Sequence, residues 1–152
     1  MLGAVTGGED SNVIVIMVRD VMTRRLVTIG PETPCDAARR LMDEHRVRHL
    51  PVVAGGRLVG MVSDRDVRPA GSQSPGTVAG RIMTPDPVTV TSETRVEHAA
   101  RLMFDARFGS LPVADGNALV GIVMYTDLLR AFVQVLETAT QERIAVDFSG
   151  GR

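Results

Sequence analysis

At residues 58–67 the chain reads Leu-Val-Gly-Met-Val-Ser-Asp-Arg-Asp-Val, and at residues 119–128 it reads Leu-Val-Gly-Ile-Val-Met-Tyr-Thr-Asp-Leu. The same offset, from Asp66 to Asp127, aligns residues 21–67 with residues 82–128 without a gap. About twenty of these pairs are identical, whereas composition alone would give roughly three. The chain therefore contains a tandem repeat.

Length and composition indicate that both repeats belong to one folded body. The chain has 152 residues, 44% of them apolar, and a formal net charge of −1. A repeat of about 50 residues would be marginally stable alone, so we expect the two to pack together. The near-zero charge gives no support for a nucleic-acid partner, and the apolar run at residues 13–18 is too short to span a membrane. Because Cys35 is the single cysteine, no internal disulfide can form, and we expect a cytoplasmic protein.

Each repeat is predicted to follow the order β-α-β-β-α, which places the chain in the α+β (α/β) class. Brief strands are expected at residues 26–29 and 87–90, and each is followed by a helix. Thr33 and Thr94 each precede an acidic residue by three positions, which is typical of a capping box at a helix start. Gly55-Gly56 and Gly116 then predict the turns of two hairpins.

The pattern predicts five segments along the chain. We expect residues 1–12 to be disordered, and residues 13–70, which begin with an extended run, to form repeat 1. Residues 71–77 have the composition of a linker, since the last helix of repeat 1 is predicted to end near Pro69. Residues 78–135 are assigned to repeat 2, and residues 136–152 to a C-terminal helix extension, running towards Ile144, and a tail.

Three motifs resemble those of the cystathionine-β-synthase (CBS) domain family. They are Val-Arg-Asp-Val-Met-Thr at 18–23, His-Leu-Pro-Val at 49–52 with Ser-Leu-Pro-Val at 110–113, and Gly-Met-Val-Ser-Asp-Arg-Asp at 60–66. The resemblance covers nearly all of residues 18–135. It implies two repeats packed sheet to sheet as a Bateman module. It also implies that AMP, ADP, ATP or S-adenosylmethionine binds in clefts between the repeats and so regulates a partner protein.

Asp66 and Asp127 are the candidate ribose ligands. A carboxylate offers two acceptor oxygens to the two hydroxyls of a ribose, and both residues stand at a helix start. The Ser63 hydroxyl is a candidate phosphate donor, since the family has Ser or Thr there. Alternatively, Ser63 and Asp66 form only a capping box. Repeat 2 has Met124 in place of Ser63, with Thr126 as an alternative N-cap, so we expect the two clefts to differ.

The base is expected, by the same resemblance, against the two opening strands and the proline loops. These residues suit a hydrophobic core equally well. The candidates are Val27, Thr28, Ile29, Val88, Thr89, Val90, Pro51 and Pro112, with Val47 or Phe108 as a further wall and His49 at the cleft edge.

Arginines favour anion binding near repeat 1. Arg24, Arg25, Arg65 and Arg68 cluster there, whereas the equivalent positions in repeat 2 hold Pro85, Asp86, Thr126 and Leu129. Each of these arginines also suits an ordinary solvated surface. Arg46 and Arg107 are matched across the repeats, and each either reaches a cleft or ends its helix favourably.

No catalytic or metal-binding motif is present. His45, His49 and His98 lack the spacing of metal ligands, and neither a nucleophile elbow nor a phosphate-binding glycine loop is found.

Two hypotheses for the function follow. One is a ligand-sensing regulatory module, for example an energy sensor, and the other is a ligand-independent dimerisation or scaffold module with degenerate clefts. In both, the apolar face of the C-terminal helix predicts a homodimer; that face comprises Leu128, Phe132, Val135, Leu136 and Ala139.

Overall fold

Helices and short strands follow one another in the same order in both repeats. The structure, a computed structural model, describes residues 14–73 and 75–142. The helices are α1 (Val18–Val21), α2 (Cys35–His45), α3 (Asp64–Gln73), α4 (Ala79–Ile82), α5 (Val96–Ala106) and α6 (Tyr125–Glu142), and the strands are β1 (His49–Ala54), β2 (Arg57–Ser63), β3 (Thr84–Pro85), β4 (Ser110–Asp115) and β5 (Ala118–Met124). The elements α1, α2, β1, β2 and α3 follow the same order as α4, α5, β4, β5 and α6, apart from the short strand β3. The duplication is therefore present in the structure. The expectations for residues 1–12 and for Ile144 lie outside the described residues.

Each repeat contains one antiparallel hairpin, as predicted. β1 pairs with β2, and β4 pairs with β5 in the same register. Gly55 and Gly56 in the first turn have φ of +57° and +75°, a conformation that glycine adopts without steric cost. β3 extends the first sheet to the order β1-β2-β3, so β1 with its Pro51 lies at an edge.

The predicted opening strands are wrong. Each segment is reduced to a single parallel bridge, Ile29 to Val52 in repeat 1 and Val90 to Val113 in repeat 2. The Ile29 N–H donates to the Pro51 carbonyl at 3.0 Å, but a proline has no N–H with which to continue a ladder. The opening segments therefore lie against the hairpins without becoming full strands.

The predicted capping boxes of α2 and α5 are also wrong. The helices begin one residue later than expected, after Pro34 and Arg95, and neither has a side-chain cap. The Thr33 hydroxyl instead accepts the Gly30 N–H at 3.2 Å, and the Thr94 hydroxyl accepts the Thr91 N–H at 3.0 Å. Both threonines thus close the turn before the helix and are no longer available to cap it.

Two hydrophobic cores interlock the repeats. Val18 and Met22, from the start of repeat 1, are buried in the core formed mainly by repeat 2. In the same way Ala79 packs into the core of repeat 1. Gly121 on the receiving strand leaves room for this exchange, because a Cβ there would lie 2.7 Å from the Met22 sulfur and 3.0 Å from the Thr23 carbonyl oxygen. Neither repeat therefore has a complete core of its own.

The chain between the repeats is more helical than predicted. α3 continues through Pro69 to Gln73, so the expected end of this helix is wrong and residues 71–73 of the predicted linker are helical. Pro69 removes one hydrogen bond from the helix. The packing of α3 against α2 stabilises the helix in spite of this loss. No helix among the described residues combines the length and apolarity needed to cross a membrane.

Candidate functional site

A cavity of about 510 Å³ lies between the two repeats. Its size is within the range of small-molecule sites. Repeat 1 contributes the start of β1 and the junction of β2 with α3, and repeat 2 contributes the segment after α4 and the start of β4. The lining residues are Arg48, His49, Met61, Val62, Ser63, Asp64, Arg65, Asp66, Thr84, Pro87, Val88, Arg107, Phe108, Gly109, Ser110, Leu111 and Pro112.

Asp66 has one carboxylate oxygen that accepts no hydrogen bond from the described residues. Its Oδ2 accepts hydrogen bonds from the Ser63 backbone N–H at 2.8 Å and from the Ser63 hydroxyl at 2.9 Å. Among the described residues, none donates a hydrogen bond to Oδ1. One oxygen therefore caps α3, while the other remains an acceptor for a ligand in the cavity. Because the Ser63 hydroxyl proton already has an acceptor, a phosphate would have to compete with Asp66 for it.

Three arginines give the cavity positive charge. Arg48, Arg65 and Arg107 line it and are exposed, and no salt bridge involves them within the described part of the chain. Arg107 follows α5 in the left-handed conformation, with φ of +57°. The carboxylate of Asp64, in contrast, is paired with Arg68 at 2.8 Å. These three guanidinium groups outnumber the one carboxylate of the cavity that is outside a salt bridge among the described residues, that of Asp66, so the charge balance favours an anionic ligand.

His49 connects the two repeats at the cavity wall. A Cβ on Gly109 would lie 3.1 Å from His49 Cε1, so the imidazole packs closely against this glycine. Burial lowers the pKa of His49 and the charge of Arg48 lowers it further, against the opposing charges of Asp66 and Asp64. The ring is therefore neutral at pH 7 and close to the charges of the cavity.

Asp127, the counterpart of Asp66, is only 4% exposed. Its Oδ2 accepts the Met124 N–H at 2.8 Å and lies 3.4 Å from the Thr23 hydroxyl. Its Oδ1 lies 3.5 Å from the same hydroxyl and 3.6 Å from an Arg130 nitrogen. Both oxygens thus have partners inside the protein, which distinguishes Asp127 from Asp66.

The cavity contains about half of the residues predicted from the sequence. Those that line it are Ser63, Asp66, Arg65, His49, Val88 and Pro112. Those that do not line it are Asp127, Thr126, Val27, Thr28, Ile29, Thr89, Val90 and Pro51. Ile29 and Val90 are buried in the two cores, and Thr126 is exposed. The alternative in which Thr126 caps α6 is wrong, because α6 already begins at Tyr125. The Met124 N–H, just before the helix, donates to the Asp127 carboxylate.

Of the four arginines clustered in repeat 1, the cavity includes Arg65 alone. Arg24 donates to the Arg19 carbonyl at 3.1 Å, and Arg68 pairs with Asp64. Sequence reasoning missed Arg48 and Thr84, and it did not determine which opening segment would face Asp66. β3 pairs with β2, and this crossover brings Val88 from repeat 2 to Asp66 from repeat 1. The spacing of residues within one repeat does not indicate this contact between the repeats.

The comparison with protein families shows to which family the chain belongs. The family model for the CBS domain matches residues 18–72 and 79–134. The chain belongs to the CBS domain family. Its two CBS domains form the tandem pair that the sequence resemblance predicted. An inosine-5'-monophosphate dehydrogenase from Korarchaeum cryptofilum is 39% identical over 106 residues, which are 69% of this chain but 22% of that enzyme. The CBS pair therefore corresponds to one part of that relative.

Solved CBS pairs have the same fold. CBSX2 of Arabidopsis thaliana in complex with AMP has a TM-score of 0.70 and 37% identity, covering 79% of this chain and 98% of that chain. The CBS domain pair of protein MJ0100, in complex with 5′-methylthioadenosine and S-adenosyl-L-methionine, has a TM-score of 0.74 and 28% identity, covering 80% and 98%. The predicted α+β class is confirmed.

Proposed function

We propose that this CBS pair is a regulatory module that binds one adenosyl nucleotide per chain beside Asp66. The observation that carries the proposal is the Asp66 Oδ1, to which no residue in the described part of the chain donates, in a cavity whose walls come from both repeats. CBSX2 with AMP and MJ0100 with adenosyl compounds support it. No catalytic role is proposed, and the unpaired Cys35 suits a cytoplasmic protein.

In the proposed complex the ribose hydroxyls donate to the Asp66 carboxylate. The base lies against Val88 and Phe108, which are 47% and 38% exposed and would lose apolar surface to water on binding. The phosphate groups then lie near Arg65 and Arg107. Each part of the ligand thus meets a group of matching chemistry.

The charge of the cavity favours nucleotides over S-adenosylmethionine. Three arginines that form no salt bridge with any described residue attract phosphates, whereas the sulfonium of S-adenosylmethionine adds a positive charge next to them. AMP, ADP and ATP differ in phosphate number, so such a cavity would distinguish between them. We therefore favour a role in sensing the adenine nucleotide ratio.

Ligand binding would reach a partner protein through the packing of the repeats. Because one ligand contacts residues of both repeats, it stabilises the arrangement in which they close around it. A partner that prefers this arrangement is thereby coupled to ligand concentration. The identity of the partner is left to capture experiments.

Calorimetric titration of the full chain with AMP, ADP, ATP and S-adenosylmethionine tests this function. We expect saturable binding of at least one nucleotide at a ratio of one per chain, and weaker binding of S-adenosylmethionine. No heat from any of them at millimolar concentration would refute the sensor. It would instead support a ligand-independent scaffold, which the fully paired Asp127 carboxylate and the occupied Ser63 hydroxyl favour.

Arg107→Gln is expected to weaken ATP binding by about fivefold, because a charge-assisted contact at an exposed site contributes on the order of 1 kcal/mol. Arg46→Gln is the matched control. Arg46 ends α2 in the same left-handed conformation, with φ of +55°, but does not line the cavity. Equal affinity losses in both variants, measured by titration, would show that Arg107 acts through the helix end and not through the ligand.

Nucleotide affinity is expected to increase as the pH falls from 8 to 6. The pKa of His49 is lowered in the free protein by burial and by Arg48, and a bound phosphate would raise it, so binding takes up a proton. The affinity for nucleotide is therefore higher at low pH. His49→Gln should reduce this dependence, and adenosine, which has no phosphate to raise the pKa of His49, should show little of it. An unchanged pH profile in the variant would exclude His49 as the linked group.

A further inference from the structure

An apolar groove between α5 and α6 adjoins the cavity beside Asp66. It has a volume of about 970 Å³. Its apolar walls come from both helices: Met103, Phe104, Tyr125, Leu128, Leu129 and Phe132. Arg107, Phe108 and Gly109 border the groove as well as the cavity, so the two spaces meet at this segment. A ligand that fills the cavity therefore has an apolar surface within its reach.

The groove exposes apolar side chains that the fold does not require. Phe104 is 81% exposed and Leu129 is 46% exposed. At the equivalent positions repeat 1 has Asp43 and Arg68, which lie on the corresponding helices α2 and α3. Because charged residues serve the same helices in repeat 1, the apolar character of the groove has a cause outside the folding of repeat 2. Exposed apolar surface of this extent marks a place where another molecule binds.

The segment that joins the groove to the cavity also differs between the repeats. Gly109 has no side chain to narrow the junction, and its carbonyl accepts the Tyr125 N–H at 3.0 Å. Repeat 1 has Arg48 at the equivalent position. The apolar groove and the junction without a side chain thus occur together, and both adjoin the cavity in which Asp66 still offers an acceptor oxygen. One ligand that occupies both spaces accounts for this coincidence.

The position of the groove determines which end of a nucleotide faces it. In the proposed complex the ribose hydroxyls donate to Asp66, and the phosphate lies near Arg65 and Arg107. Because Arg107 borders both spaces, a group esterified to the phosphate leads towards the groove. A group on a ribose hydroxyl would instead remove a donor to Asp66, and a ribose 3′-phosphate would bring negative charge next to this carboxylate. The phosphate is therefore the point of attachment.

We propose that the ligand is an adenylate that carries an uncharged apolar chain on its phosphate, with the chain in the groove. The inference rests on the proposed nucleotide site and names the class of compound that the site takes. Glu97 and Asp105 balance Arg101 and Arg107 around the groove, so no net charge attracts a charged chain there. Nucleotides without a chain occupy the cavity alone and compete with this ligand.

Acyl adenylates have this constitution. They form when a carboxylate attacks the α-phosphate of ATP and pyrophosphate leaves, so the acyl group is attached to the phosphate and both ribose hydroxyls stay free. The reaction that supplies the ligand is then the ATP-dependent activation of an apolar carboxylic acid. The module would report the product of that activation against the background of free adenine nucleotides.

Titration of the full chain with AMP, with its phosphate methyl ester and with its phosphate n-octyl ester tests the inference. The two diesters have the same charge, so their comparison isolates the chain. Burial of one methylene strengthens binding by up to about fourfold, and because an open groove covers only part of the chain, we expect the octyl ester to bind about thirtyfold more tightly than the methyl ester. Equal affinities of the two esters, with saturable binding of AMP, overturn the inference and leave the nucleotide site intact. If none of the three compounds binds, both proposals fail.

Leu129→Gln tests whether the chain lies in the groove, and Val133→Gln is the matched control. The two residues are 46% and 50% exposed on the same helix, but only Leu129 borders the groove. Leu129→Gln should reduce the advantage of the octyl ester by about fivefold and leave the affinity for AMP unchanged, which also shows that the variant is folded. Val133→Gln should change neither. An undiminished advantage in Leu129→Gln, or equal losses in both variants, refutes the placement of the chain.

N6-octyl-AMP tests the point of attachment. Phe108, against which the base is proposed to lie, also borders the groove, so a chain on the base is the competing arrangement. We expect N6-octyl-AMP to bind no more tightly than AMP. If it binds as tightly as the octyl ester, the chain belongs on the base and the assignment to the phosphate is refuted.

Discussion

Asp66→Asn should weaken AMP binding by at least about tenfold, because the side-chain amide cannot accept both ribose hydroxyls. An isosteric amide keeps one oxygen that can accept the Ser63 N–H, now at 2.8 Å from Asp66 Oδ2, so the start of α3 should be retained. The loss therefore reports the ligand contact and not the helix. Titration of the variant with AMP measures it.

Asp127→Asn is the control for this prediction. Both oxygens of Asp127 already have partners within the protein, and the residue does not line the cavity. AMP affinity should therefore be unchanged in this variant. If Asp127→Asn reduces affinity as much as Asp66→Asn, the ribose has been assigned to the wrong aspartate.

Asp127→Ala should lower the free energy of unfolding by about 1–3 kcal/mol, because it leaves the part-buried Met124 N–H and Thr23 hydroxyl without their acceptor. Unfolding by urea in the absence of nucleotide measures this change. Asp127 is the one buried charged side chain in the described part of the chain. Water therefore replaces the lost acceptor less readily than it would on the surface.

Thr23→Val identifies the origin of this stability. Thr23 follows α1, which packs into the repeat-2 core, and its hydroxyl reaches Asp127 across the boundary between the repeats. In a double-mutant cycle the two substitutions should be less than additive, since they remove the same contact. Additive losses would mean that Asp127 stabilises only the start of α6.

Local signals predicted most of the architecture. The offset of 61 residues between Asp66 and Asp127 reveals the duplication, and Gly55-Gly56 reveals the hairpin turn, because each depends on neighbouring residues alone. The opening segments looked like strands since Val27 and Ile29 favour extended structure. They remain single bridges because Pro51 offers no N–H, and that effect depends on a partner more than twenty residues away.

The candidate site was predicted less completely for the same reason. Asp66 was found because its helix start is a local pattern. Its position in one cavity with Val88 and Arg107 depends on how the two repeats pack together, which no periodicity within one repeat reports. Met124 was a valid sign that repeat 2 differs at this position, but the contact of Thr23 with Asp127 is visible only in three dimensions.

The most direct test is a crystal structure of the full chain with AMP. We predict one nucleotide per chain between the repeats, with its ribose hydroxyls within hydrogen-bond distance of Asp66 and its phosphate near Arg65 or Arg107. AMP bound beside Asp127 instead, or no AMP bound in a structure grown at saturating nucleotide, would contradict the proposed site.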